Sequence, residues 1–369
     1  MSNNFEIIKA RVENLRSLMR EKNLDVFVLL VEERSNSESC HYISGFRGSS
    51  AALIIDLNNA NLITDGRYKT QSAMQTPFKI TIQSELALPE YVAKTLSESD
   101  FKNAAFEAEK ISHSTFTKYF EKSRVNWHDA SDFMKILRRK KDPHEIDLIK
   151  KAALIGRMAY GNVLKKFVPE MTEIDFDIQL NQEIKKLGAE KGWAHDDFIV
   201  ASGERGAMCH APATLKKIHF GEVVTVDYGA MFEGYMSDIT RNFAVKKPDS
   251  KAIEVNNILL KAHNEAAKSL RPGISGREVD AIARKIISDF GYEKNFLHGL
   301  GHGLGLEVHE APRLSKTSDD VLKIGDVVTI EPGIYIEGWG GLRIEDDYLI
   351  TPEGSECLTV NDNQSLEII

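Results

Sequence analysis

Three histidines fall within twelve residues in His298-Gly-Leu-Gly-His302-Gly-Leu-Gly-Leu-Glu-Val-His309, followed by Glu310-Ala-Pro312. Imidazoles at that density suit a metal or proton-transfer site, and the interleaved glycines let backbone and ligand approach closely. Those glycines argue against a long helix or a buried core strand here. They match neither G-x-G-x-x-G nor G-x-x-x-x-G-K-[ST], so a phosphate loop is a poor alternative. Carboxylates are arranged as regularly. One β-rich run ends at Asp227, passes through Glu233-Gly234 and returns to Asp238; another ends at Glu331, passes through Glu337-Gly338 and returns to Glu345. An antiparallel hairpin would set the two acids of each pair across from each other, aiming four carboxylates at one point. Buried without a counter-charge, such a set would in part protonate. Divalent cations remove that cost, and carboxylates with one imidazole suit manganese, with cobalt or zinc as alternatives.

These runs belong to an internal repeat. Gly221-Glu-Val-Val-Thr-Val-Asp227-Tyr-Gly229 aligns with Gly325-Asp-Val-Val-Thr-Ile-Glu331-Pro-Gly333 at an offset of 104. Upstream, residues 169–188 and 272–291 correspond at an offset of 103, each reading as a turn and an amphipathic helix that ends in glycine. Two helix-plus-hairpin halves are predicted. The N-terminal part instead alternates helix and strand: a helical stripe of Ile7, Ile8, Val12, Leu15 and Leu18, strands at 26–31, 51–55 and 61–64, and a helix near 89–97. An α/β domain at 1–125, a linker at 126–141 and a second domain at 142–369 are expected. Asp142-Pro143-His144-Glu145 supplies an N-cap, a proline at the first helical position and a capping glutamate, so a helix starts there. The basic run 138–141 reads as a solvated helix end or linker.

Composition bounds the function. With 55 acidic and 47 basic residues and a formal charge of −8, neither a nucleic-acid binder nor a ligand of anionic membranes is expected. No stretch of 18 apolar residues could span a bilayer, and the amphipathic N-terminus does not read as a signal peptide. Cys40, Cys209 and Cys357 form no disulfide or C-x-x-C pattern, which fits a reducing, cytoplasmic setting. Cys209 beside His210 suggests a nucleophile pair, but adjacency in sequence does not place two side chains together.

The stretch from His298 to Glu310, with Asp227, Asp238, Glu331 and Glu345 in order around it, resembles the pita-bread metallopeptidases, over residues 142–369. Tyr42-Ile-Ser-Gly-Phe46-Arg-Gly48-Ser and Thr64-Asp65-Gly66-Arg67-Tyr68 with Gln71 are similar to the creatinase-like domain of aminopeptidase P. The resemblance implies an α/β (α+β) chain with a creatinase-like N-terminal domain and a pita-bread catalytic domain of pseudo-twofold symmetry. It implies two metal ions on Asp227, Asp238, His302, Glu331 and Glu345. Asp227 would bind one ion, His302 and Glu331 the other, and Asp238 and Glu345 would bridge a pair that shares a hydroxide. Glu331 would be the proton acceptor, His210 and His309 would contact the carbonyl or oxyanion, His298 would orient a ligand or contact substrate, and Arg343 would support the carboxylates. The implied activity is hydrolysis of the N-terminal bond in peptides with proline at the second position, by an Xaa-Pro aminopeptidase that commonly dimerises. The alternative is an Xaa-Pro dipeptidase, for which Arg313 is a candidate to catch the C-terminal carboxylate. An inactive binding protein of the same fold is a third reading, disfavoured by the intact ligand set.

Overall fold

The computed structural model describes residues 2–193, 198–359 and 366–369. The chain forms two compact units that divide between Arg138 and Arg139.

In the first unit, helix Ser2–Glu21 buries Ile8, Val12, Leu15 and Met19, one stripe at helical spacing. A six-stranded sheet runs in the order Lys79–Ile82, Ala60–Thr64, Ala51–Asp56, Val26–Val31, Asn103–Phe106, Asn126–Asp129. Val26–Val31 is central and buried along its length, as its unbroken apolar sequence requires. The two motifs that carried the N-terminal resemblance meet inside this unit. Ser49 Oγ and Tyr68 OH are 2.6 Å apart, and the Phe46 ring meets Tyr68 edge-on at 5.6 Å. Gly45, at φ 77°, ends helix Ser37–Ser44; a Cβ there would lie 2.5 Å from the Gln75 carbonyl oxygen, so both conformation and space demand glycine.

The linker expected at 126–141 is not a linker over most of its length. Strand Asn126–Asp129 pairs in parallel with Asn103–Phe106, and helix Ser131–Arg139 follows. The basic run is not simply solvated either. Arg139 makes a two-pronged contact with Asp326, and the Lys141 ammonium, 1% exposed, sits 2.6 Å from Glu310. Charge clustering marked a solvated segment only because the paired acids lie more than 160 residues away in sequence.

The second unit repeats one design. Helix Pro143–Leu164 opens on a complete Asp142/Glu145 capping box, and Glu173–Lys186 opens on another at Thr172/Asp175. Helices Ser250–Ser269 and Gly276–Asp289 are their counterparts, the latter capped by Ser275/Glu278. In the first half, strands run in the order Glu367–Ile368, Ile239–Ala244, Val223–Tyr228, Ile199–Ser202. In the second, the order is Glu310–Leu314, Gly301–Gly303, Val327–Ile330, Asp346–Thr351, Gly354–Cys357. Period-two alternation then divides the strand faces. Val224, Val226, Ile239 and Phe243 enter one core with Ile155, Val163, Phe176 and Leu180 of the helices; Val328, Ile330 and Ile350 enter the other with Val255, Leu259 and Val279. Each such side chain contributes about 1.5–3 kcal/mol on burial. The residues between them, Asp227, Thr240, Thr329 and Glu345, are thereby turned to the opposite faces. There the halves join, by an antiparallel bridge between Thr240 and Glu345.

Candidate metal centre

The register decides which acids meet. Val327–Ile330 pairs with Asp346–Thr351 from Val327↔Leu349 to Ile330↔Asp346, and the hairpin tip resumes at Gly333↔Arg343, so Glu331 and Glu345 come across from each other between them. The first half differs from the expected symmetric pairing. Asp227 lies opposite Thr240, leaving Asp238 two residues along on the same face. Asp238, His302 and Glu345 nevertheless converge, each offering a ligand atom within 4.8 Å of the others. His302 Nε2 is 3.3 Å from Glu331 Oε1 and 3.6 Å from Asp238 Oδ2.

His302 stands on strand Gly301–Gly303, which is buried and pairs with strands on both sides. Sequence reasoning counted the glycines against such a strand. They are what makes it possible: a Cβ on Gly301 would lie 2.0 Å from the Thr329 carbonyl oxygen, and one on Gly303 2.2 Å from that of Ala311. The backbone N–H of His302 donates to Thr329 Oγ1, and Nδ1 faces the Gly303 carbonyl at 3.1 Å. Nδ1 therefore carries a proton, and Nε2 is the nitrogen turned toward the carboxylates.

The electrostatics call for a cation. Burial first, then the charges of Glu345 and Asp227, hold Asp238 well above the usual carboxylate range; burial, then Glu331 and Asp227, do the same to Glu345. Asp227 is raised by burial against the opposing pull of Arg343. Glu331, 16% exposed, goes the other way: burial would raise it, but His302, His298 and Arg343 outweigh that and bring it to about 2. Asp227 Oδ1 and Asp238 Oδ1 are buried with no hydrogen-bond partner. Buried carboxylate oxygens without donors, with His302 Nε2 close to the other oxygen of Asp238, fit divalent cations.

Residues 147–352 match the metallopeptidase family M24, and residues 11–140 match the creatinase/prolidase N-terminal domain. The chain is a metallopeptidase of family M24. It is 35% identical to the Xaa-Pro dipeptidase of Pyrococcus furiosus over 97% of this chain and all of that one. Among solved structures, the Xaa-Pro dipeptidase from Bacillus anthracis superposes with a TM-score of 0.92 at 37% identity, covering 98% of this chain and 100% of that one. The X-Pro aminopeptidase from Thermotoga maritima superposes at 0.89 and 36% identity, covering 94% and 98%. The creatinase-like N-terminal domain and pita-bread catalytic domain expected from the sequence are the fold of this peptidase.

Around the acids, the M24 peptidase carries a shell of polar side chains. Arg343 donates to Asp227, to Tyr335 OH at 2.7 Å, to Thr240 Oγ1 at 3.0 Å and to the Cys209 carbonyl at 3.3 Å. Thr240 passes the contact on, donating to Glu345 Oε2 at 2.7 Å. Tyr335 OH reaches His298 Nε2 at 2.9 Å, and His298 Nδ1 faces the Gly299 carbonyl at 2.7 Å. His298 is thus held by both nitrogens, 3.7 Å from Glu331 and kept neutral chiefly by burial. His309 is exposed, its ring centroid 4.3 Å from that of His302. Burial of part of the ring, then the nearness of His302 and of cationic Arg313, lower it to about 4. His210 is exposed on the loop after Ser202, close enough to act electrostatically on both His298 and His309. Thr240, Tyr335, Arg241 and Asp346 escaped the sequence reading. Arg241 donates to the Glu345 carbonyl and to Asp346, which lies 3.3 Å from buried His263. Only Thr240 had a detectable signal, standing two residues from Asp238 and so on the same strand face.

Proposed function

We propose that this peptidase hydrolyses the Xaa-Pro bond of short peptides with two divalent cations, Mn²⁺ by preference, held by Asp227, Asp238, His302, Glu331 and Glu345. The observation that carries the proposal is the convergence of Asp238, His302 and Glu345 within 4.8 Å, with carboxylate oxygens that have no donor. Four carboxylates to one imidazole favour manganese, and cobalt or zinc would serve less selectively. Cations held there would polarise the scissile carbonyl and lower the pKa of a water. The chain's own groups supply the rest. Glu331 is ionised and partly exposed, the state needed to take a proton from water and return it to the leaving proline nitrogen. His309, neutral and at the surface, can hydrogen-bond the carbonyl as charge develops on its oxygen, with His210 beside it. His298 is committed to Tyr335 and Gly299 through both ring nitrogens, so it is not free to move protons.

Between substrates, we favour the Xaa-Pro dipeptide. The N-terminal motifs resemble those of aminopeptidase P, but Ser49, Tyr68 and Phe46 contact one another within that domain and speak for its fold rather than for substrate length. Arg313 is exposed and near enough for its charge to act on His309, where it can pair with the carboxylate of a free C-terminal proline. The relatives named dipeptidases in Pyrococcus furiosus and Bacillus anthracis agree, while the Thermotoga maritima aminopeptidase represents the other reading. The test compares an Xaa-Pro dipeptide with the matched Xaa-Pro tripeptide, using metal-stripped protein resupplied with Mn²⁺, before and after Arg313→Ala. Dipeptide preference that Arg313→Ala removes by raising KM at least about tenfold supports this reading. Faster tripeptide cleavage, indifferent to Arg313, makes the enzyme an aminopeptidase. Activity without metal defeats the proposal altogether.

A further inference from the structure

Glu173 sits in the first turn of helix Glu173–Lys186 and is completely buried. Among the described residues, every hydrogen bond of its carboxylate ends on one segment, Ser202 to Thr214, which carries His210. Oε1 accepts from Ser202 N at 2.9 Å and Ser202 Oγ at 2.8 Å; Oε2 accepts from Thr214 N at 3.1 Å and Thr214 Oγ1 at 2.8 Å. Arg205 Nε bridges both oxygens at 3.2 and 2.9 Å, while its Nη2 donates to the Pro212 carbonyl. One carboxylate therefore pins the start, the middle and the end of the segment. The position at a capped helix N-terminus favours the charge that does so.

The opposite side of the segment is clamped against the metal-site hairpin. A Cβ on Gly206 would lie 2.8 Å from the backbone of Gly341, and one on Gly340 2.6 Å from the Gly203 carbonyl oxygen. Arg343, which holds Asp227, also donates to the carbonyl of Cys209, the residue before His210. His210 is thus an exposed side chain on a backbone fixed from two sides.

We infer that Glu173 is a positioning residue for catalysis, setting the location of His210 by tying both ends of its loop. The inference rests on the proposed role of His210 at the reacting carbonyl. Chemistry makes Glu173→Gln a sharp probe: the backbone N–H groups of Ser202 and Thr214 and Arg205 Nε can only donate, so an amide NH₂ in place of either oxygen loses one of those backbone bonds even if the neighbouring hydroxyl turns to accept. A displacement of about 1 Å at a reacting group can cost about a hundredfold in rate.

The experiment is a double-mutant cycle on kcat for Xaa-Pro cleavage by the full-length, Mn²⁺-loaded enzyme, using Glu173→Gln, His210→Ala and the pair. His210→Ala should lower kcat by about a hundredfold. Glu173→Gln alone should lower kcat by about tenfold with KM nearly unchanged, and by no more than about twofold in the His210→Ala background. The same tenfold loss in both backgrounds overturns the inference, showing a general structural effect, and leaves the role of His210 standing. A His210→Ala enzyme with near-native kcat overturns the role of His210, and the inference with it. Should Glu173→Gln not fold, Thr214→Val and Ser202→Ala, each removing one hydroxyl donor, complete the same cycle.

Discussion

Replacing Asp238 with asparagine should stabilise the metal-free protein while ending its response to metal. The side chain is 3% exposed, its Oδ1 has no donor, and its Oδ2 lies 3.6 Å from His302 Nε2. Its backbone N–H, which donates to Asp347 Oδ2, is untouched by the substitution. What changes is charge. Two unit charges at the 4.8 Å limit that encloses the Asp238 and Glu345 ligand atoms repel by about 3.5 kcal/mol at an effective dielectric near 20. The wild type relieves part of this by keeping protons on the pair. Both carboxyls are raised above their unfolded values, so the folded state binds more protons than the unfolded state once pH exceeds the ordinary carboxylate range. Stability contributed by those protons is full at acid pH and is lost as pH rises through the raised values. Allowing for protonation and for the new amide, Asp238→Asn should gain about 2 kcal/mol at pH 8 in chelator, or about 4–8 °C in Tm for a domain of this size, and almost nothing at pH 5. Thermal unfolding at both pH values, with EDTA and with Mn²⁺, makes the comparison. Mn²⁺ should reverse the order by raising the wild-type Tm alone. An asparagine variant no more stable than wild type at pH 8, or equally stabilised at pH 5, would refute the idea that uncompensated carboxylates dominate this site.

Thr240→Val removes the hydroxyl that accepts from Arg343 and donates to Glu345; a loss of about tenfold or more in Mn²⁺ affinity by calorimetry is expected, and unaltered affinity would show that the hydroxyl does not hold Glu345. Native-state alkylation at pH 8 should modify Cys209 well before Cys40, because Cys40 is 1% exposed and burial pushes its thiol to about 12, whereas Cys209 is partly exposed. Peptide mass spectrometry reads the order, and early labelling of Cys40 would contradict its burial.

Much of the molecule was legible in the linear chain because it was written locally. The capping box at Asp142–Glu145, the apolar strand Val26–Val31 and the repeated strand-acid-turn-acid pattern each depend on neighbours within a turn or a hairpin. Burial and register are not local. Whether Asp227 faces Asp238 or Thr240 is a matter of one strand register, which an approximately symmetric sequence pattern leaves open. The glycines around His302 looked hostile to a strand until Thr329 and Ala311 supplied the backbones that press against them. The partners of Arg139, Lys141 and Glu173 lie far along the chain, so composition could show that they were charged but not that their charge was held. The sequence by itself determined the repeat and the chemical identity of the four acids and the histidine, since residue types at near-constant offsets survive any fold. Only the tertiary structure decided that Asp238, His302 and Glu345 share one point with Glu331 beside His302, because convergence requires two hairpins joined at Thr240 and Glu345, with helix cores on their far faces turning every second side chain inward.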